Sequence, residues 1–170
     1  AGAAALAGKS LEEVAAIAQG FADNMATLAV AASGATNPAT GMEIAQVAAG
    51  CMEVGVGLHG EAGKAKPMAT AEETVGIMLD ALLEDLNVLA EEKLMVIVSG
   101  SGATSLMEQL IIYRNCYAYL VEKEIEIVAS HVGELMTVQE MAGFEICIAR
   151  MNEELVEYWN TPCRTPYFKK

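Results

Sequence analysis

Leu94-Met-Val-Ile-Val98 is a run of five apolar residues with no polar break, too short for a helix and lacking the alternation of a half-solvated strand. It reads as a strand covered on both faces, which calls for a sheet with helices packed against it. The surrounding segments agree. Upstream, Thr70 and Glu73 form a capping box, and Val75, Met78, Leu79, Leu82, Leu86 and Leu89 recur at helical spacing. Downstream, Ser99-Gly-Ser-Gly-Ala-Thr104 turns the chain into a helix predicted from Ser105 to about Lys123. Ile125–Ala129 and Phe144–Met151 read as further strands, and Glu153–Trp159 as a short helix.

The first third of the chain follows the same alternation. Ser10 and Glu13 make another capping box, followed by the stripe Leu11, Val14, Ile17, Ala18, Phe21 and Met25. Thr27–Ser33 reads as a buried strand, and Gly34–Gly41 as a loop. Met52–Leu58 reads as a strand, with Met52, Val54, Val56 and Leu58 on one face, and Gly60–Pro67 as a second loop. Strands alternating with helices define an α/β fold, a layered sheet flanked by helices, in one domain over residues 1–170.

Composition narrows the function. A formal charge of −13 argues against a nucleic-acid partner or an anionic membrane surface, both of which need a basic face. The longest apolar run, Ala1 to Gly8, falls well short of the roughly 20 residues of a membrane span. That run has no basic flank of the secretory kind, and the abrupt alanine-rich opening reads as processing or as a piece of something larger. Cys51, Cys116, Cys147 and Cys163 are scattered without a C-x-x-C pair and read as small buried hydrophobes or idle thiols, not as a disulfide frame or a zinc site. The ten methionines read as fillers of irregular core space.

The glycine turn at 99–104 lacks the third glycine of a dinucleotide fingerprint and the lysine of a phosphate loop, so it reads as a plain tight connection. His131 reads as a loop or surface histidine. His59 is different: it follows a strand, at the position where open α/β sheets hold ligands, within Gly55-Val-Gly57-Leu-His59-Gly60-Glu61. Gly55 and Gly57 lie on its own face and would leave room beside the imidazole. On these residues alone His59 is open to two readings, a functional histidine or a buried one supporting a turn. Glu61 either orients the ring or points to solvent.

Four stretches carry a resemblance. Met52-Glu-Val-Gly-Val-Gly-Leu-His-Gly-Glu-Ala-Gly63 resembles the Met-Glu-x-Gly-x-Gly-Ile-His-Gly-Glu-Pro-Gly segment of the dihydroxyacetone kinase K subunit. The opening Ala1–Val14, the Ser99–Thr104 turn and Met136-Thr-Val-Gln-Glu-Met-Ala-Gly-Phe144 are similar to that family's sequence in the same order. The resemblance implies the second, C-terminal lobe of a two-lobe K subunit. It implies that His59 binds dihydroxyacetone covalently, as a hemiaminal, while the first lobe, which is absent from these residues, carries the aspartate base. It further implies that nucleotide and magnesium sit on a separate L subunit or domain, so that this chain binds no cofactor or metal itself. The expected partners are dihydroxyacetone, the first lobe, the L subunit and a second K subunit, in the cytoplasm. The competing reading is a non-catalytic relative that senses the ketone as a co-regulator.

Overall fold

The computed structural model describes residues 1–57 and 61–170. Thirteen elements follow in order among them: α1 (Gly2–Leu6), α2 (Leu11–Ala22), β1 (Met25–Ala31), β2 (Ala35–Thr36), β3 (Glu43–Ile44), β4 (Cys51–Val54), β5 (Lys64–Pro67), α3 (Ala71–Leu86), β6 (Lys93–Gly100), α4 (Leu106–Glu122), β7 (Glu126–Val132), β8 (Gly143–Arg150) and α5 (Glu153–Asn160). Six strands form one sheet in the order β5-β4-β1-β8-β6-β7, and β2 pairs with β3 in a small ribbon. Only β6 and β7 run parallel within the sheet; α4 is their crossover.

The apolar run at 94–98 does what its composition requires. Leu94, Val96 and Val98 enter the larger core, where α3 (Val75, Met78, Leu79, Leu82) and α4 (Ile112, Cys116, Leu120) cover one face of the sheet. Met95 points the other way, into a smaller cluster with Ala129, Ala149 and Met151, against which Leu155 and Trp159 of α5 pack. Both faces of β6 are therefore covered, though Ile97 on the smaller side is only partly buried. Ile146 and Ile148 of β8 are fully buried beside it.

Both capping boxes read from the sequence are present, and a third at Ser105 and Glu108 was not anticipated. At Thr70 the hydroxyl accepts from the Glu73 N–H, while the Glu73 carboxylate accepts from the Thr70 N–H, which holds that carboxyl below its usual range. Thr70→Ala should cost about 1 kcal/mol, read as a lower midpoint in chemical denaturation. An unchanged midpoint would mean that water satisfies these N–H groups equally well.

Several expectations need correction. β4 ends at Val54 instead of running to residue 58, because Gly55 turns the backbone to φ +86°. Leu58 lies outside the described residues. The loop expected over 60–67 ends in β5, whose Lys-Ala-Lys-Pro sequence lacks alternation. This strand pairs through its backbone at the sheet edge, where lysine and proline discourage further strands from adding. The loop at 34–41 contains β2. The first strand begins at Met25 and closes at Ala31, two residues earlier at each end than expected. The stripe on α2 exists, but no residue of that helix is buried. Leu89 falls beyond α3, which stops where Asn87 adopts a left-handed conformation.

Arg150 fastens that stop. Its Nε donates to Glu92 at 2.6 Å and its Nη2 to the carbonyls of Leu86 and Asn87, tying the end of α3 to β8. All four cysteines are free thiols. Burial pushes the Cys116 thiol up to about 12, consistent with a packing role.

Candidate functional site

Three of the stretches singled out in the sequence meet at one end of the sheet, where β1 and β6 finish and β8 begins. The turn at 99–104 is clasped to the segment before β8. Ser101 N–H donates to the Gly143 carbonyl, Ala103 N–H to Met141 and Val138 N–H to Ser101, at 2.8–3.1 Å. Thr104 completes the clasp, its hydroxyl donating to the Gly143 carbonyl at 2.6 Å and accepting from the Gly143 N–H at 3.1 Å. From β1, Ala32 N–H donates to the Ala142 carbonyl, and Ser33 Oγ accepts from the Ala142 N–H.

Glycine is required here by close approach. A Cβ on Gly102 would overlap the Gln139 carbonyl oxygen, and one on Gly143 the Val30 carbonyl oxygen. A Cβ on Gly100 would strike the carboxylate of Glu134. The N–H groups of Ser101 and Ala103 are spent on backbone partners, and that of Ser105 on Glu108. This is a plain βα connection, with those donors already committed and not offered to a phosphate.

Residues 55–57 reach the same end. Val56 packs with Ala31, Ala35 and Met141, and Gly55 N–H donates to the Ala29 carbonyl at 2.7 Å. Gly57 N–H donates to the Glu61 carbonyl at 2.9 Å. His59 itself lies outside the described residues. The glycines flanking it act differently from expectation. The space over Gly57 is taken by the side chain of Glu61, which a Cβ there would overlap, so it is not free for a ligand. Gly55 is needed for its positive φ, since a Cβ there would make only an ordinary 3.7 Å contact with Leu28. Gly63 fits closely against the Val54 carbonyl.

Polar groups that the sequence reading missed line the same end. Gln109, 1% exposed, donates from Nε2 to the Thr104 carbonyl and to Glu134. Its Oε1 and the second oxygen of Glu134 are buried without hydrogen-bond partners. Glu145, level with Ala29 and Ser99 on neighbouring strands, is half-buried, and desolvation raises its carboxyl above the usual range. None of these stands in a motif: they become neighbours only through sheet register and the crossover. Among the described residues, no three His, Cys, Asp or Glu side chains are grouped to hold a metal ion, and no helix is long and apolar enough to cross a membrane.

His131 belongs to β7, not to a loop. Its ring lies 5.1 Å from that of Phe168. Burial lowers its pKa below the ordinary 6.5, and the charge of Lys170 acts in the same direction. The unfolded chain therefore takes up this proton first, so His131 subtracts stability as the pH falls below about 6.5 towards its folded midpoint. NMR titration of the ring protons should give a midpoint below that of an unfolded histidine. A midpoint at or above it would place the ring in solvent.

Comparison with known proteins adds an independent line. Residues 1–167 match the model of the Dak1 domain. The dihydroxyacetone-binding subunit of PTS-dependent dihydroxyacetone kinase 2 from Listeria innocua is 36% identical over 98% of this chain, which spans 50% of that protein. An L-erythrulose kinase from Pectobacterium atrosepticum is 34% identical over 99% of this chain, covering 29% of its own length. Among solved structures, the dihydroxyacetone kinase from C. freundii in complex with AMP-PNP and Mg2+ superposes with a TM-score of 0.73 at 27% identity, over 89% of this chain and 28% of that one. A dihydroxyacetone kinase operon co-activator superposes with a TM-score of 0.84 at 23% identity, over 91% and 48%, a likeness of fold. The chain thus spans about half the length of the Listeria relative.

Proposed function

The chain belongs to the Dak1 domain family, and from that premise we propose that it is the ketone-holding half of a dihydroxyacetone kinase. The observation that carries this reading is the match to a dihydroxyacetone-binding subunit along 98% of the chain. Relatives named as erythrulose kinases extend the substrate class to short ketoses.

On this reading His59 is the nucleophile. A neutral imidazole nitrogen adds its lone pair to the ketone carbon. The C=O π electrons move to oxygen, which takes a proton, and the other ring nitrogen gives one up; the product is a hemiaminal. The bond holds the substrate with a terminal hydroxyl towards the incoming phosphoryl group. It also selects a ketone over glycerol, which has no carbonyl to attack. Such selection exceeds the roughly 1–3 kcal/mol that one apolar group in a pocket supplies.

The same reading gives the chain its partners: the other half of the K subunit with its aspartate base, an L subunit carrying nucleotide and magnesium, and a second K copy, all in the cytoplasm. It is consistent with α4, which turns Met107, Leu110, Tyr117 and Val121 outward, each more than half exposed. Phosphorylation is assigned to the assembled protein; this chain alone is expected to be inactive. A crystal soaked with dihydroxyacetone should show continuous density from the His59 ring to the ketone carbon. Density joined to a different residue, or none in an assembly that turns over, would overturn the assignment.

A further inference from the structure

Helix α2 presents Ile17, Ala18 and Phe21 on one side, yet none of its residues is buried. That side touches the sheet through Phe21, which packs, partly buried, on the cluster of Met95, Ala129, Ala149 and Met151. It roofs a cavity of about 830 Å3, whose floor is Met95 and Ile97 of β6 and whose far wall is Leu155 and Trp159 of α5. The volume lies within the range of small-molecule sites, and the walls are apolar as such sites require. An apolar helix face held over empty space gains little from burial unless something fills the gap.

The rim says what kind of molecule fits. Lys170 lies there, its ammonium 3.7 Å from the centre of the Trp159 ring and donating to the Trp159 carbonyl. No aspartate or glutamate side chain among the described residues pairs with it. In a chain of formal charge −13, a cation at the cavity rim without an acidic side-chain partner is a point of attraction for an anion. Hydrocarbon walls with a single cation at the edge match a molecule with one long apolar tail and one anionic end.

We propose that this cavity binds a single long-chain carboxylate, its hydrocarbon lying between α2 and the sheet and its head at Lys170. The desolvation that lowers the pKa of Lys170 is the cost an anionic head would offset. The site is separate from the one described above. It sits at the Met25, Met95 and Ala149 end of the sheet, opposite the clasp of 99–104 with 138–143. Being concave, it takes one free chain in preference to a lipid surface.

Trp159 is the only tryptophan, so its emission reports on the cavity directly. Titration with palmitate below its aggregation threshold should shift that emission and saturate at one equivalent. Lys170→Gln should weaken palmitate about tenfold, the size of one charge-assisted hydrogen bond, and leave palmityl alcohol unaffected. Ala18→Phe, at an exposed position facing the cavity, should abolish binding of both without lowering the thermal midpoint. The proposal is overturned by an unchanged Trp159 emission, by a palmitate affinity in either variant equal to the parent's, or by binding only to anionic phosphatidylglycerol vesicles. Self-association that buries Trp159 in a second copy, seen by light scattering without palmitate, would equally overturn it.

Discussion

Gly102→Ala is expected to lower the thermal midpoint by roughly 10 °C, the equivalent of about 3 kcal/mol for a domain of this size. Two independent penalties combine. The backbone at 102 has φ +126°, a conformation L side chains rarely adopt. The new methyl would also fall on the Gln139 carbonyl oxygen, which belongs to the main chain and cannot rotate aside. Relief requires separating 101–103 from 138–143, breaking the Gly102–Met141 bridge and the hydrogen bonds around it. Gly20→Ala is the matched control: it lies within α2, with nothing near a new methyl, and should stabilise by up to about 1 kcal/mol. If Gly102→Ala melts with the parent protein, the clasp is not closed in solution.

On the proposed function, His59→Ala is expected to abolish any covalent complex with the ketone outright, because no other residue is assigned the nucleophilic role. With dihydroxyacetone labelled with carbon-13 at its carbonyl, the parent chain should convert part of the ketone signal into that of a protein-bound tetrahedral carbon. The variant should show only free ketone and its hydrate. The bound signal should fade in acid, since a protonated ring has no lone pair to donate. An adduct that survives in His59→Ala would transfer the role to a different nucleophile. If His59→Asn kept full non-covalent affinity while losing the adduct, the bond would serve orientation more than capture.

The parts of the fold legible in the sequence are those whose neighbours in space are implied by their own pattern. β6 announced itself because five apolar residues in a row can be satisfied only by cover on both faces, and α3 because its stripe and capping box are local features. β5 was illegible: Lys64-Ala-Lys-Pro67 enters the sheet through backbone pairing that side chains do not encode. The stripe on α2 correctly marked a helix, but amphipathicity says which side is apolar and not whether anything comes to cover it. At the candidate site the glycines were conspicuous and their reasons were not. Gly57 accommodates Glu61, only four positions away, while Gly100 accommodates Glu134 and Gly102 accommodates Gln139, contacts created between segments distant in sequence. The pair Gln109 and Glu134, 25 positions apart, carries no spacing signal at all.

The strand order has a consequence for how the molecule comes into being. β8, the last of the sheet's strands in chain order among the described residues, lies between β1 and β6 and joins the early strands β1, β4 and β5 to the later pair β6 and β7 within the sheet. Until the ribosome has released residues 143–150, the nascent polypeptide owns two half-sheets, each with a bare inner edge. Closure is a single late insertion between segments distant in sequence, which favours slow folding and exposes both edges to chaperones in the meantime.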